Sequence, residues 1–140
     1  MRISTRGRHA LRAMVDLAQH ASGQPVPRRD IAERQEISAD YAAQLFGHLQ
    51  LAGLVQGVKG PGRGYLLARD SIRISVGEIV RAVEGPVPLV ECTVPDLVGE
   101  IACRRVDGCT AHLVWKRLAE TLAEFLDSIN LQDLCDDALA

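Results

Sequence analysis

At 140 residues, 47% hydrophobic and 24% charged, the chain is long enough to bury one core without disulfide staples, as one domain or as one small domain with an appended dimerisation element. Arg2, Arg6, Arg8 and Arg12 precede or enter an amphipathic run with Asp16 inside it, which excludes an apolar signal core or a membrane span there and leaves a cytoplasmic address as the expectation. The net charge of −2 is split: residues 1–73 hold eleven Lys or Arg against six Asp or Glu, a net of +5, and residues 74–140 hold five against twelve, a net of −7. That asymmetry suits a first half that meets a polyanion and a second half that does not.

Ala10, Leu11, Met14, Val15, Leu17 and Ala18 recur with helical period and predict a helix over residues 8–21, stopped by Gln24, Pro25 and Pro27. A short helix follows from about Arg28 to Gln35, burying Ile31 and Ala32, and Glu36-Ile37 turns the chain into Ser38. Ser38 suits the N-cap of a helix over residues 39–52 whose inward face is Ala42, Leu45, Phe46 and Leu49. Two helices joined by a short turn are a helix-turn-helix signature. The first turn of the second helix (Ser38, Ala39, Asp40, Tyr41) and its exposed side (Ala43, Gln44, His48) would then face a major groove. Gln44 can make paired hydrogen bonds to adenine, and the small Ala39 and Ala43 can accept a thymine methyl.

Leu54 to Val58 and Tyr65 to Leu67 are short apolar stretches around Lys59-Gly60-Pro61-Gly62-Arg63-Gly64, which predicts a β-hairpin wing. Lys59 and Arg63 flank its turn, where a minor groove or phosphates would lie. The same glycines do not make a nucleotide loop, because the Lys-Ser or Lys-Thr pair and the following helix are missing. Together with Arg2, Arg8 and Arg28, and with Arg6, Arg12 and Arg29, the wing makes a set of phosphate clamps, although each arginine alone also suits a solvated helix face.

Ser75 and Glu78 form a capping box for a helix burying Val76, Ile79, Val80 and Val83, ended by Gly85 and Pro86. From about Cys109 to Asn130 a long helix carries Trp115, Leu118, Leu122, Phe125 and Ile129 at alternating steps of three and four. That seam suits a partner helix, or the chain's own first helix, or both. A helix-turn-helix protein usually reads two half-sites of double-stranded DNA, so a homodimer through this helix is the economical arrangement.

Between these helices lie Cys92, Cys103, Cys109 and His112, separated by ten, five and two residues, in a segment that prolines and glycines keep out of helix. Three thiols and an imidazole can hold an iron-sulfur cluster or a tetrahedral zinc, and the spacing leaves both open. A reversible Cys103–Cys109 disulfide is a third possibility. Cys135, between Leu134 and Asp136, falls outside the spacing and reads as a packing residue, and His9, His20 and His48 are isolated. Catalysis by a Cys-His pair lacks an orienting Asn or Asp, so no enzyme and no small-molecule substrate are expected. A cluster carrier with no DNA would leave the wing and the basic half idle.

MRISTRGRHALRAMVDLA at the start, ISADYAAQLF at 37–46, GLVQGVKGPGRGYLL at 53–67, ISVGEIVRAVEG at 74–85 and the Cys, Cys, Cys, His set together resemble the Rrf2 family of bacterial winged-helix regulators, most closely its branch of iron-sulfur cluster regulators. The resemblance covers nearly the whole chain. It implies a mainly α fold, a winged helix-turn-helix with a small β-hairpin wing and a long C-terminal dimerisation helix. The divisions are 1–84 for the DNA-binding domain, 85–108 for the cluster-binding loop and 109–140 for the dimerisation helix and tail. It further implies a homodimeric transcription factor with a 2Fe-2S cluster, 4Fe-4S being the other nuclearity the donors allow, on Cys92, Cys103, Cys109 and His112. Two departures stand out. The gap from Cys92 to Cys103 is longer than that branch usually has, and Arg8 and Arg12 stand where some relatives supply a ligand from the first helix, which arginine cannot do. Ala43 replaces a glutamate of some relatives, so the preferred operator is expected to differ.

Overall fold

A computed structural model describes residues 3–85, 93 and 103–137. The expected positions Arg2 and Cys92, and most of the 85–108 segment, lie outside the described residues. Helix α1 (Thr5–Gln19) begins earlier than its apolar period predicts, because its first turn is capped twice. The Ser4 hydroxyl accepts from Gly7 N at 3.2 Å, and the Glu84 carboxylate accepts from the same N–H at 3.1 Å. Its inner stripe, Ala10, Ala13, Met14 and Leu17, is fully buried.

Helix α2 (Arg28–Arg34) buries Ile31 and Ala32 and stops in a Schellman turn: Ile37 N donates to Ala32 O at 3.0 Å and Glu36 N to Glu33 O at 3.2 Å. Glu36 takes the left-handed position of that turn with φ 56°. Ser38 then caps α3 (Ala39–Leu51), its Oγ accepting from Tyr41 N at 3.0 Å, and Ala42, Leu45, Phe46 and Leu49 are buried as the sequence predicts.

The wing is the antiparallel pair β1 (Val55–Val58) and β2 (Gly64–Leu67), with Val58 opposite Gly64 and Val55 opposite Leu67. Arg63 N donates to Gly60 O at 3.1 Å across Pro61 and Gly62, the latter at φ 72°. Proline followed by a left-handed glycine is the type II pattern, so this sequence closes the hairpin tip by itself. One pairing went unpredicted: Val26 bridges Tyr65 through two backbone hydrogen bonds of 2.9 Å, adding a third short strand segment to the wing. The Phe46 and Tyr65 rings stack 4.2 Å apart, which fixes the wing against α3.

Helix α4 (Val76–Glu84) has the expected capping box, Ser75 Oγ accepting from Glu78 N and the Glu78 carboxylate from Ser75 N. Hydrogen bonds from Ser75 and Arg69 outweigh the burial that pushes the Glu78 carboxyl up and hold it below the ordinary glutamate value. Helix α5 (Thr110–Ser128) is about 28 Å long at 1.5 Å per residue, and none of its residues is fully buried. Its last turn packs on α4, where Leu126 meets the cluster of Val76, Val80 and Ile129 that Leu11 of α1 also lines, and Arg81 Nη2 donates to Asp127 Oδ1 at 2.7 Å.

The segment after α5, expected as a tail, returns to the body instead. Val76 N donates to Ile129 O and Leu131 N to Ile74 O, both at 2.8 Å, and α6 (Leu131–Cys135) places Leu131 in the main core. Among the described residues no helix is long and apolar enough to cross a membrane.

Candidate functional site

The helix-turn-helix presents Ala39, Asp40, Gln44 and His48 to solvent on α3, with Ala43 half-buried beside them. The Ser38 Oγ accepts the Tyr41 N–H, so Ser38 orients the helix while its exposed O–H stays free to donate outward. Tyr41 leans inward: its hydroxyl lies 3.4 Å from His9 Nδ1 and the two rings meet edge to face at 5.5 Å. At the wing tip Lys59, Gly60, Pro61 and Arg63 are all exposed. Two short elements therefore carry the expected base-reading and minor-groove residues, held together by Phe46 and Tyr65.

The arginines divide by what already holds them. Arg28 stands exposed on the first turn of α2, and Arg8, also exposed, donates from Nη2 to Thr5 Oγ1 at 3.3 Å. Arg29 lies 3.8 Å from Asp30. Arg6 Nη1 donates to Val83 O at 3.2 Å, which ties it to α4, and Arg12 Nε donates to Gln35 Oε1 at 3.1 Å.

A buried polar group behind this surface was not legible as such. Asp16 is 3% exposed and accepts from Arg34 Nε and Nη2 at 2.9 and 2.7 Å and from Gln35 Nε2 at 2.8 Å. Burial pushes its carboxyl up, but the hydrogen bonds of Arg34 and Gln35 and the charges of Arg34 and His20 outweigh it, so it sits below the ordinary aspartate value. The only sequence signal is a charge on the inner side of an apolar stripe.

At the other end, Cys103 is followed by a turn and a 3-10 turn, Val106–Gly108, that leads into Cys109 at the N-cap of α5. The Cys109 side chain makes no capping hydrogen bond, and both Cys103 and Cys109 are half-buried and free of disulfides. His112 lies three residues on, so it shares the first turn's face with Cys109. Its Nδ1 is buried and, among the described residues, has no hydrogen-bond partner. An imidazole nitrogen withdrawn from water and left without a donor or acceptor fits a metal ligand, and a helix N-terminus favours the negative charge of thiolates and sulfide. Among the described residues no group of three or more metal-binding side chains gathers, and Cys92 lies outside them. Cys135 is of another kind: burial, then the Asp136 charge, push its thiol up, and it sits in α6.

The family model described as Rrf2, iron-dependent transcriptional regulator, matches residues 3–137. The HTH-type transcriptional regulator IscR of Xenorhabdus nematophila is 45% identical over 134 residues, which is 96% of this chain and 79% of that protein. Among solved structures, T. potens IscR aligns with a TM-score of 0.77 at 37% identity, over 99% of this chain and 88% of that one. CymR, described as the global cysteine regulator of B. subtilis, aligns with a TM-score of 0.75 at 32% identity over 97% of each chain.

Proposed function

Because the chain belongs to the Rrf2 family of iron-dependent, DNA-binding transcriptional regulators, we propose that it is a cytoplasmic homodimer whose operator affinity is set by an iron-sulfur cluster, 2Fe-2S in nuclearity, on Cys92, Cys103, Cys109 and His112. The observation that carries the cluster is the buried, unpartnered Nδ1 of His112 beside the uncommitted Cys109 at the start of α5. When bound, such a cluster would tie the Cys92 segment to the first turn of α5, and exchanging one thiolate for imidazole makes one iron easier to lose.

DNA is read by α3 and the wing. Ala39, Asp40 and Gln44 approach base edges from the turn that Ser38 caps and that Tyr41, turned inward onto His9, steadies; Lys59, Gly60, Pro61 and Arg63 meet the minor groove, and Arg2, Arg8 and Arg28 meet phosphates. Dimerisation is supported by α5, which exposes Leu113 by 65%, Val114 by 60%, Trp115 by 40% and Phe125 by 59%. A helix that leaves such side chains in water needs a partner, and a second copy supplies the two-fold symmetry of paired half-sites. Residues 1–84 then form the reading head, 85–108 the cluster loop and 109–140 the dimer helix with its anchor.

Protein purified without oxygen, with its visible spectrum and its iron, sulfide and zinc contents, tests the centre. Brown protein with iron and sulfide in equal amounts is expected. Colourless protein with tightly held zinc would make the same ligands a structural site, and metal-free protein that resists reconstitution would leave a thiol switch. Cys103→Ala, Cys109→Ala and His112→Ala should each lose colour and alter affinity for a duplex selected from a random-sequence pool. Unchanged affinity in all three would sink the coupling.

A further inference from the structure

We infer that Arg12 contacts the DNA backbone and that Gln35 is its positioning residue, oriented in turn by the buried Asp16; this rests on the reading of α3 as the element that enters the groove. The Asp16 carboxylate can only accept, so Gln35, which donates to Asp16 Oδ2 at 2.8 Å, must turn its NH2 inward and its carbonyl oxygen outward. That oxygen accepts Arg12 Nε at 3.1 Å. The bond fixes the guanidinium plane of an exposed side chain and leaves its terminal nitrogens for another acceptor.

The place is set by neighbours on the same stripe of α1. His9, three residues earlier, meets Tyr41 in the first turn of α3, and Asp16, four residues later, holds Arg34 and Gln35 at the end of α2. Arg12 therefore stands beside the α2–α3 turn and the start of the recognition helix. With that start in a major groove, the phosphates flanking the groove pass alongside. Arg6 is a contrast, since its Nη1 is spent on Val83 O.

Affinity and its salt dependence test this on a duplex selected by the wild-type protein from a random-sequence pool. Arg12→Gln is expected to weaken binding roughly tenfold and to reduce the slope of log affinity against log salt by about one per bound protomer. Arg12→Lys should recover the slope and only part of the affinity. Gln35→Met keeps the shape and loses both bonds; it should weaken binding, and the double variant should be no weaker than Arg12→Gln. Losses that add would leave Gln35 as packing only and overturn its positioning role. An unchanged slope in Arg12→Gln while Gln44→Ala weakens binding would overturn the Arg12 contact, and an unaffected Gln44→Ala would overturn the underlying placement of α3.

Discussion

The Glu84 carboxylate accepts the backbone N–H of Gly7 at 3.1 Å, so the last residue of α4 serves as a cap for α1. The Ser4 hydroxyl joins the same oxygen, and Arg6 holds the neighbouring Val83 carbonyl at 3.2 Å. The fit is close: a Cβ on Gly7 would stand 2.5 Å from Glu84 Oε1. The arginine-bearing start of α1 is thereby strapped to the point where the chain leaves for the cysteine segment.

Glu84→Ala should lower the unfolding free energy by about 1 kcal/mol, the usual worth of a cap with a charge at a helix N-terminus. Glu84→Gln, which keeps an acceptor, should lose less. Urea denaturation reads both, and an Ala variant as stable as the wild type would show that Ser4 alone suffices.

Glu36 offers the opposite change. It holds a left-handed position, φ 56°, where α3 in the equivalent turn has Gly53 at φ 75°. Removing the Cβ relieves a clash that costs about 1 kcal/mol or more, less what glycine loses in the unfolded chain. Glu36→Gly should therefore raise stability by about 0.5 kcal/mol, measured as a higher urea midpoint at unchanged m-value. A lower midpoint would assign the Glu36 side chain a stabilising contact.

What the sequence reveals here is what is local. Ser75 and Glu78 announce α4 because a capping box spans three residues, and Ser38 with Ala42, Leu45, Phe46 and Leu49 announces α3 because helical period and cap reinforce one another. The wing follows from Pro61-Gly62, which suits one turn type. Asp16 shows in the sequence only as a charge on the inner side of an apolar stripe, and its partners Arg34 and Gln35 arrive from 18 and 19 residues away; the Gly7–Glu84 cap joins positions 77 apart. The return of Leu131 to Ile74 is written in backbone hydrogen bonds, which no side-chain pattern encodes. At the metal corner the spacing of Cys103, Cys109 and His112 is legible, whereas the burial of one unpartnered imidazole nitrogen is a property of packing alone.

Gly64 is needed for a close approach and not for an unusual backbone angle. A Cβ there would lie 2.5 Å from the Val26 carbonyl carbon and 2.9 Å from Pro27 N, both backbone atoms that cannot swing aside. Gly64→Ala should cost more than about 2 kcal/mol and detach the wing from the Val26 bridge. Loss of hydrogen-exchange protection at the Val26 and Tyr65 amides would be its signature. Retained protection would show that the bridge moves with the wing at little cost.

Asp16 gives the helix-turn-helix an acid-sensitive support. Its folded pKa lies below the unfolded value of about 3.9, so the proton binds the unfolded chain more readily. The stability it contributes is complete above that unfolded value and disappears as pH falls through it towards the folded one. Asp16→Asn should cost about 2 kcal/mol at neutral pH, less than for a fully buried pair because the Arg34 side chain is 35% exposed and can turn to water. The gap between wild type and variant should stay constant from pH 7 down to about 5 and narrow below about 4. A gap unchanged at pH 3 would mean that the variant loses packing or hydrogen-bond geometry and not the charge that Arg34 and Gln35 hold.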